Sequence, residues 1–383
     1  MPKNHFMRLT FTVSMLLTTL LFACQSPQTP KNQVTFYIGT YTNGSSEGIY
    51  KALFDTVTGH ISELQLAARL NNPSFLTIYQ KEKLLVAVSE RDGSQANVFS
   101  YEIHPISGEL SLLDSVATGG QATCYISMVH KNLVAIANYV SGDVSFIPYS
   151  NKGTFESPVT TFKHSGTGPV TDRQEAPHAH SILADPNGSY IYAADLGADK
   201  VMVYELDQQE IRAAGTILMT PGAGPRHLAF SPCGQQMALL NELNHTVITF
   251  SKDEKGAFTN QTATVQLLPD SLHRGNKSAD IHYSPDGRFL YASVRAIDEV
   301  TGVDKIEVMD VTDKDSAPLR VGSEESGIHY PRNFSIDPSG QFLLVANKNS
   351  HLITVYERDQ NTGQLTPIDA SLELDSPVCI QFY

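Results

Sequence analysis

Apolar and polar residues alternate in short runs along most of this chain, and the runs recur in one order. The clearest cycles open with Pro177-His178-Ala179-His180-Ser181-Ile182, Pro225-Arg226-His227-Leu228-Ala229-Phe230 and Pro331-Arg332-Asn333-Phe334-Ser335-Ile336. Each continues into a second apolar run: Tyr190 to Asp195, Met237 to Asn241 and Phe342 to Asn347. Alternation of period two over so few residues predicts β-strands. The joints read Asp185-Pro186-Asn187-Gly188, Ser231-Pro232-Cys233-Gly234 and Asp337-Pro338-Ser339-Gly340. Proline presets φ there, and glycine takes the positive φ that closes a hairpin. A third run follows in each cycle, such as Lys200 to Tyr204 or Leu352 to Tyr356, and a weaker fourth leads onward.

The anchors Pro73, Ala122, Pro177, Pro225, Ala279, Pro331 and Pro377 lie 46 to 55 residues apart. That period suits four-stranded propeller blades and is too long for leucine-rich, ankyrin or tetratricopeptide units. The last anchor opens a single strand, Val378 to Tyr383, whereas Phe36 to Thr40, Gly48 to Ala52 and Ile61 to Leu64 supply three. The sequence therefore predicts an all-β, seven-bladed propeller over residues 34–383, one blade sharing N- and C-terminal strands so that no sheet edge is left open.

Residues 1–23 stand outside the repeat. Lys3, His5 and Arg8 precede an apolar run, Phe11 to Phe22, too short to span a bilayer, and Leu21-Phe22-Ala23-Cys24 follows. This resembles a bacterial lipoprotein signal, with cleavage before Cys24 and lipidation of that residue; an ordinary secretory peptide is the alternative. Residues 24–33, rich in Pro, Gln and Ser, read as a flexible tether. The expected location is the cell envelope, facing the periplasm or exterior. Cys124, Cys233 and Cys379 are odd in number and read as small core residues without a disulfide framework.

A formal charge of −13 with no basic stretch argues against a nucleic-acid partner. The charges that matter come from the repeat. In a propeller the innermost strand begins, and the second strand ends, at the same face. The residue after each anchor gives Ser74, Thr123, His178, Arg226, Asp280, Arg332 and Val378; the residue closing each second strand gives Tyr41, Glu90, Tyr139, Leu196, Glu242, Arg295 and Lys348. Any one of these could pin blade to blade by a salt bridge. So many charges at one mouth of the channel exceed what pinning requires and indicate a site.

His178-Ala179-His180 also has the spacing of a metal pair on a strand. In other cycles, however, the position of His180 holds Leu76, Tyr125, Leu228, His282, Phe334 and Ile380, so His180 and His282 are expected to be hydrogen-bonded core residues. His164 and His273 lie in polar loops and are expected to be solvated. With no Cys-x-x-Cys, phosphate loop or nucleophile elbow, neither a metal nor a cofactor is expected.

Several stretches resemble the seven-bladed lactonase propellers, which include propeller-type 6-phosphogluconolactonases and carboxymuconate cyclases. They are Phe36 to Thr42, Pro177 to His180, Ala194 to Asp199, Gly224 to His227, Asn241 to Leu243 and Tyr291 to Arg295. The resemblance implies an active site of His178, Arg226, Glu242 and Arg295. The chain departs from it at Val294 and Ala296, where Asn and Gly are common, which leaves the direction of Arg295 open.

The implied chemistry is lactone hydrolysis, with Glu242 or His178 moving the water proton and Arg226 and Arg295 holding the oxyanion. Glu90, Asp280, Arg332 and Lys348 would then hold the substrate, a sugar lactone or related anion. On this view Glu242→Gln abolishes turnover and leaves the thermal midpoint nearly unchanged. Two other functions fit the same residues: a cyclase or isomerase acting on a muconate-like dicarboxylate, and a non-catalytic binding propeller held at the membrane through Cys24. An exported protein would meet an unphosphorylated lactone rather than a cytoplasmic sugar phosphate.

Overall fold

In a computed structural model of the chain, the described residues are Met1, 32–91, 96–207, 210–298, 300–314 and 316–383. Cys24 and the leader and tether readings lie outside them, apart from the tether's last two residues. One of these, Gln33, belongs to the fold: it opens the strand Gln33–Thr40.

The described residues form seven four-stranded antiparallel sheets. Six are continuous in sequence: blade 1 covers residues 76–117, blade 2 residues 123–163, blade 3 residues 179–218, blade 4 residues 225–266, blade 5 residues 276–324 and blade 6 residues 331–373. Blade 7 orders Pro377–Phe382, Gln33–Thr40, Gly48–Asp55 and Ile61–Arg69 from the inside outward. The innermost strand of every blade packs on those of both its neighbours, so the ring is closed.

Blade 7 is the seam. Phe36 pairs with Phe382 and Ile38 with Ile380, and their side chains join a buried cluster with Phe54 of the same blade and Phe342 and Leu344 of blade 6. A Cβ on Gly39 would stand 2.2 Å from the Pro73 carbonyl oxygen, so the close approach of blade 7 to the entry of blade 1 requires glycine there. The core is otherwise distributed: each buried cluster lies between two adjacent blades, as with Ala193 and Tyr204 of blade 3 against Ala135 and Phe146 of blade 2.

Six of the seven innermost strands carry an irregularity at their start, blade 1 being the exception. In blades 2, 3, 4, 6 and 7 one residue has no cross-strand partner: Cys124, His180, Arg226, Arg332 and Val378. In blade 5, Ala279 and Asp280 together stand opposite Ser293. A bulge re-aims the side chain of the extra residue. It also sets the true register of the repeat. Ala179 pairs with Asp195 as Pro225 pairs with Asn241, so His180, not His178, is the equivalent of Arg226.

Two smaller expectations also change. Cys233 is exposed in its turn rather than packed in the core. The His164 side chain is buried, its Nδ1 2.6 Å from Asp195 Oδ2 and its Nε2 2.9 Å from the Tyr204 hydroxyl, because its loop folds back over blade 3.

Candidate active site

A cavity of about 270 Å³ opens where the innermost strands begin and the second strands end. Strand termini deliver most of its wall. Arg226 comes from a bulge, while Glu242 and Tyr139 follow second strands and Arg295 is the next-to-last residue of one. Glu90, Lys277 and Arg332 complete the charged lining together with Arg173. Five cations thus face two carboxylates inside a protein whose formal net charge is −13. Local charge, not the overall field, governs which ligand fits here.

Glu242 is the centre of the arrangement. Its Oε2 accepts from Arg226 Nη1 at 2.5 Å and from Arg295 Nη2 at 3.3 Å, and its Oε1 lies 2.7 Å from Arg173 Nη1. Burial alone would raise the carboxyl pKa. The pull of Arg226, Arg295 and Arg173 outweighs it and holds the group well below the usual carboxylate range. Arg295 Nη2 also donates to the Ser278 carbonyl at 3.1 Å, which fixes its direction toward Glu242 despite Val294 and Ala296.

The histidine in the cavity is His180. Its Nε2 lies 2.5 Å from Arg226 Nη1, and because guanidinium only donates, Nε2 accepts and Nδ1 carries the proton. That Nδ1 is buried without a partner among the described residues. Burial, then the Arg226 charge, push the imidazole well below its ordinary pKa, so it is neutral. It is hydrogen-bonded as the repeat suggested, yet it lines the cavity.

His178 stands elsewhere. Its ring stacks on Tyr139 at 4.5 Å, with Nδ1 2.8 Å from the Tyr139 carbonyl and Nε2 3.1 Å from Glu175. It does not line the cavity, because the leading Pro177 precedes the bulge by three residues whereas Pro225 immediately precedes its own. The two imidazoles have separate partners, and no group of three His, Cys, Asp or Glu among the described residues could hold a metal ion.

Asp280 is likewise displaced from the expected ring. It lies one residue past the blade 5 equivalent of Arg226 and accepts from His227 Nδ1 at 2.7 Å, His282 Nε2 at 2.9 Å and Asn333 Nδ2 at 2.6 Å. Asn333 in turn accepts from the Ile380 amide at 2.7 Å. This chain of bonds ties blades 4, 5, 6 and 7 and leaves Asp280 outside the cavity wall. Its place is that of a blade-to-blade tie, not of a ligand contact.

The remaining expected residues gather around the cavity. Glu90 accepts from the Tyr41 hydroxyl at 3.0 Å, and Arg332 lies 5.3 Å from the Tyr41 ring centre. Lys348 is not part of the cavity wall itself but lies 5.2 Å from the centre of the Tyr330 ring and 5.9 Å from that of Tyr41, two residues that are. Cys124 also lines the wall, but burial, reinforced by Glu90, raises its thiol pKa and keeps it protonated.

Arg173, Lys277 and Tyr330 were not anticipated. Arg173 has no counterpart in the repeat; it arrives on a strap, residues 164–178, between Thr160–Lys163 and Ala179–Ala184. The next residue, Gln174, is fully buried and donates to the Leu196 carbonyl at 2.8 Å and to Asp199 at 2.7 Å. Gly197 admits the strap, since a Cβ there would lie 1.8 Å from the Ala176 oxygen. Arg173 itself donates to the Tyr139 hydroxyl at 3.0 Å. An arginine beside a buried glutamine in a polar loop is a weak signal, and only the fold gives it meaning.

The profile of the family "Lactonase, 7-bladed beta-propeller" matches residues 35–382. The 6-phosphogluconolactonase of Bacillus subtilis is 35% identical over 347 residues, covering 90% of this chain and 97% of that protein. A crystal structure from Bacteroides uniformis, 38% identical, superposes with a TM-score of 0.86 over 92% of this chain and all of the other. The periplasmic gluconolactonase of Pseudomonas aeruginosa is 32% identical with a TM-score of 0.83, covering 91% of this chain and 99% of its own. The match takes in every blade, and the chain belongs to the seven-bladed β-propeller lactonase family.

Proposed function

We propose that the protein is a lactone hydrolase whose substrate, an unphosphorylated sugar lactone, occupies the cavity around Glu242. The observation that carries this reading is the guanidinium cluster. Arg226, Arg295 and Arg173 converge on one buried carboxylate, with Arg332 and Lys277 in the same wall. Hydrolysis of a lactone places negative charge first on the carbonyl oxygen and then on the product carboxylate. Preorganised cations in a buried site stabilise that charge more in the transition state than in the neutral substrate.

Glu242 is ionised and poorly basic, so its contribution is to hold the guanidiniums in place and to orient water through Oε1. Neutral His180 accepts from Arg226 and so helps hold that guanidinium in place. The kinship with a 6-phosphogluconolactonase and a gluconolactonase supports the reaction class. The lipoprotein-like leader, a reading of the sequence alone, favours the unphosphorylated substrate and a place in the cell envelope.

The test is acid release from glucono-δ-lactone, followed against the spontaneous rate, with 6-phosphogluconolactone as comparison. A rate no greater than background for both would leave a binding propeller as the better account.

A further inference from the structure

Tyr330 lines the same cavity and has no part in the ion-pair cluster. It precedes the innermost strand of blade 6 with φ of 57°, in the left-handed region. Asn72, Ala122, Gly224 and Ser376 hold the corresponding place in other blades, also at positive φ. In those four blades a small side chain takes this unusual backbone; in blade 6 a tyrosine does. A large side chain held in that conformation at a cavity wall points to a use for the side chain.

Its surroundings suggest what that use is. The Arg295 guanidinium and the Lys348 ammonium each lie 5.2 Å from the ring centre. Among the described residues, none is within hydrogen-bond distance of its hydroxyl, whereas the hydroxyls of Tyr41 and Tyr139 in the same wall are engaged by Glu90 and Arg173.

We propose that Tyr330 is the proton-transfer group of the lactone hydrolysis. The proposal rests on the lactonase reading above. As phenolate, Tyr330 takes a proton from the attacking water while the water oxygen bonds to the carbonyl carbon. As phenol, it returns that proton to the ring oxygen when the acyl–oxygen bond breaks. Water and lactone become hydroxy acid, and the tyrosine ends as it began. The other candidates in the described wall are engaged: Glu242 is held ionised by three arginines, Glu90 accepts from the Tyr41 hydroxyl, and His180 accepts from Arg226.

The electrostatics agree. Burial would raise the phenol pKa, but Arg295, Arg332, Lys348 and Arg226 together bring it below its ordinary value of 10. Asp304 of the neighbouring blade accepts the Tyr330 backbone N–H.

The experiment is Tyr330→Phe, which keeps the ring and its cation contacts. With glucono-δ-lactone, kcat is expected to fall about 100-fold or more, with KM changed less than about threefold. The rise of kcat with pH is expected to disappear. In the Lys348→Met variant that rise is expected to persist and move to higher pH, because a cation facing the phenol is gone. Ultraviolet titration is expected to show a tyrosine of the wild-type protein ionising earlier than an ordinary phenol, and that component is expected to be missing from Tyr330→Phe. An active wild type matched by Tyr330→Phe in rate and pH profile would overturn this proposal alone. A wild type without lactonase activity would sink the lactonase reading with it, and the titration would still report whether the phenol is displaced.

Discussion

Arg226 places Nη1 2.5 Å from Glu242 Oε2 and at the same distance from His180 Nε2, so one guanidinium nitrogen joins a carboxylate and an imidazole from separate strands. Its Nε donates to the Ala279 carbonyl at 2.7 Å, which brings in the next blade. The arginine therefore acts as a hub between blades 3, 4 and 5. Its position is held by the fold and does not await a ligand.

Substitution of Glu242 by glutamine shows why this matters. The sequence-based expectation was lost turnover at an unchanged thermal midpoint. With Glu242 only 1% exposed and three arginines drawn to it, neutralising it leaves buried positive charge without compensation. Loss of about 3–5 kcal/mol of stability is expected alongside the loss of activity. Denaturant unfolding of the variant checks the first and the lactone assay the second. A folded, inactive variant of wild-type stability would show that the cluster relaxes.

Arg173→Ala is expected to behave differently. The strap is anchored by Gln174, and the Arg173 side chain is 20% exposed, so the thermal midpoint should move little. Hydrolysis should fall about 10- to 100-fold, since one charge-assisted contact to Glu242 or to the ligand is removed. Calorimetry with gluconate should show weaker product binding. Unchanged binding and rate would confine Arg173 to a surface role.

Asp280→Asn is expected to cost about 3 kcal/mol or more through the broken tie among blades, while the folded fraction keeps a near-normal kcat. The comparison of melting with single-turnover rate separates the two. A kcat loss in fully folded protein would return Asp280 to the site.

Acid sensitivity follows from a buried histidine. His245 is fully buried, and burial lowers its pKa from 6.5 to about 4, against a smaller opposing bond to the His273 carbonyl. Because the folded value is the lower one, the unfolded chain binds the proton first as pH falls. The stability it confers is complete above pH 6.5 and is lost on the way down to pH 4, about 3 kcal/mol in all. His245 has φ of 55°, which asparagine tolerates, so His245→Asn should flatten this part of the stability–pH curve. Thermal melts from pH 8 to 4 make the check; parallel curves for the two proteins would refute it.

The ring was legible because strand alternation and Pro-Gly turns are local signals that survive without a partner. Blade number and the shared blade 7 followed from them directly. The ends of the second strands were also legible: Glu90, Glu242 and Arg295 line the cavity as read. The starts of the innermost strands were not, because a bulge inserts a residue without marking the sequence. Alignment on the leading prolines put His178 level with Arg226, whereas hydrogen bonding puts His180 there. Arg173 was hidden for another reason: a strap that belongs to no repeat has no periodic neighbour to reveal it.

The unpaired residue at each bulge has a wider consequence. Cys124, His180, Arg226 and Arg332 occupy one equivalent position in four blades, and each is free of the ladder that sets the strand's register. A thiol, an imidazole and two guanidiniums thus occupy the same backbone niche in different blades. Exchange at that niche alters ligand chemistry one blade at a time without re-threading a sheet, which gives such a ring modular room to diversify.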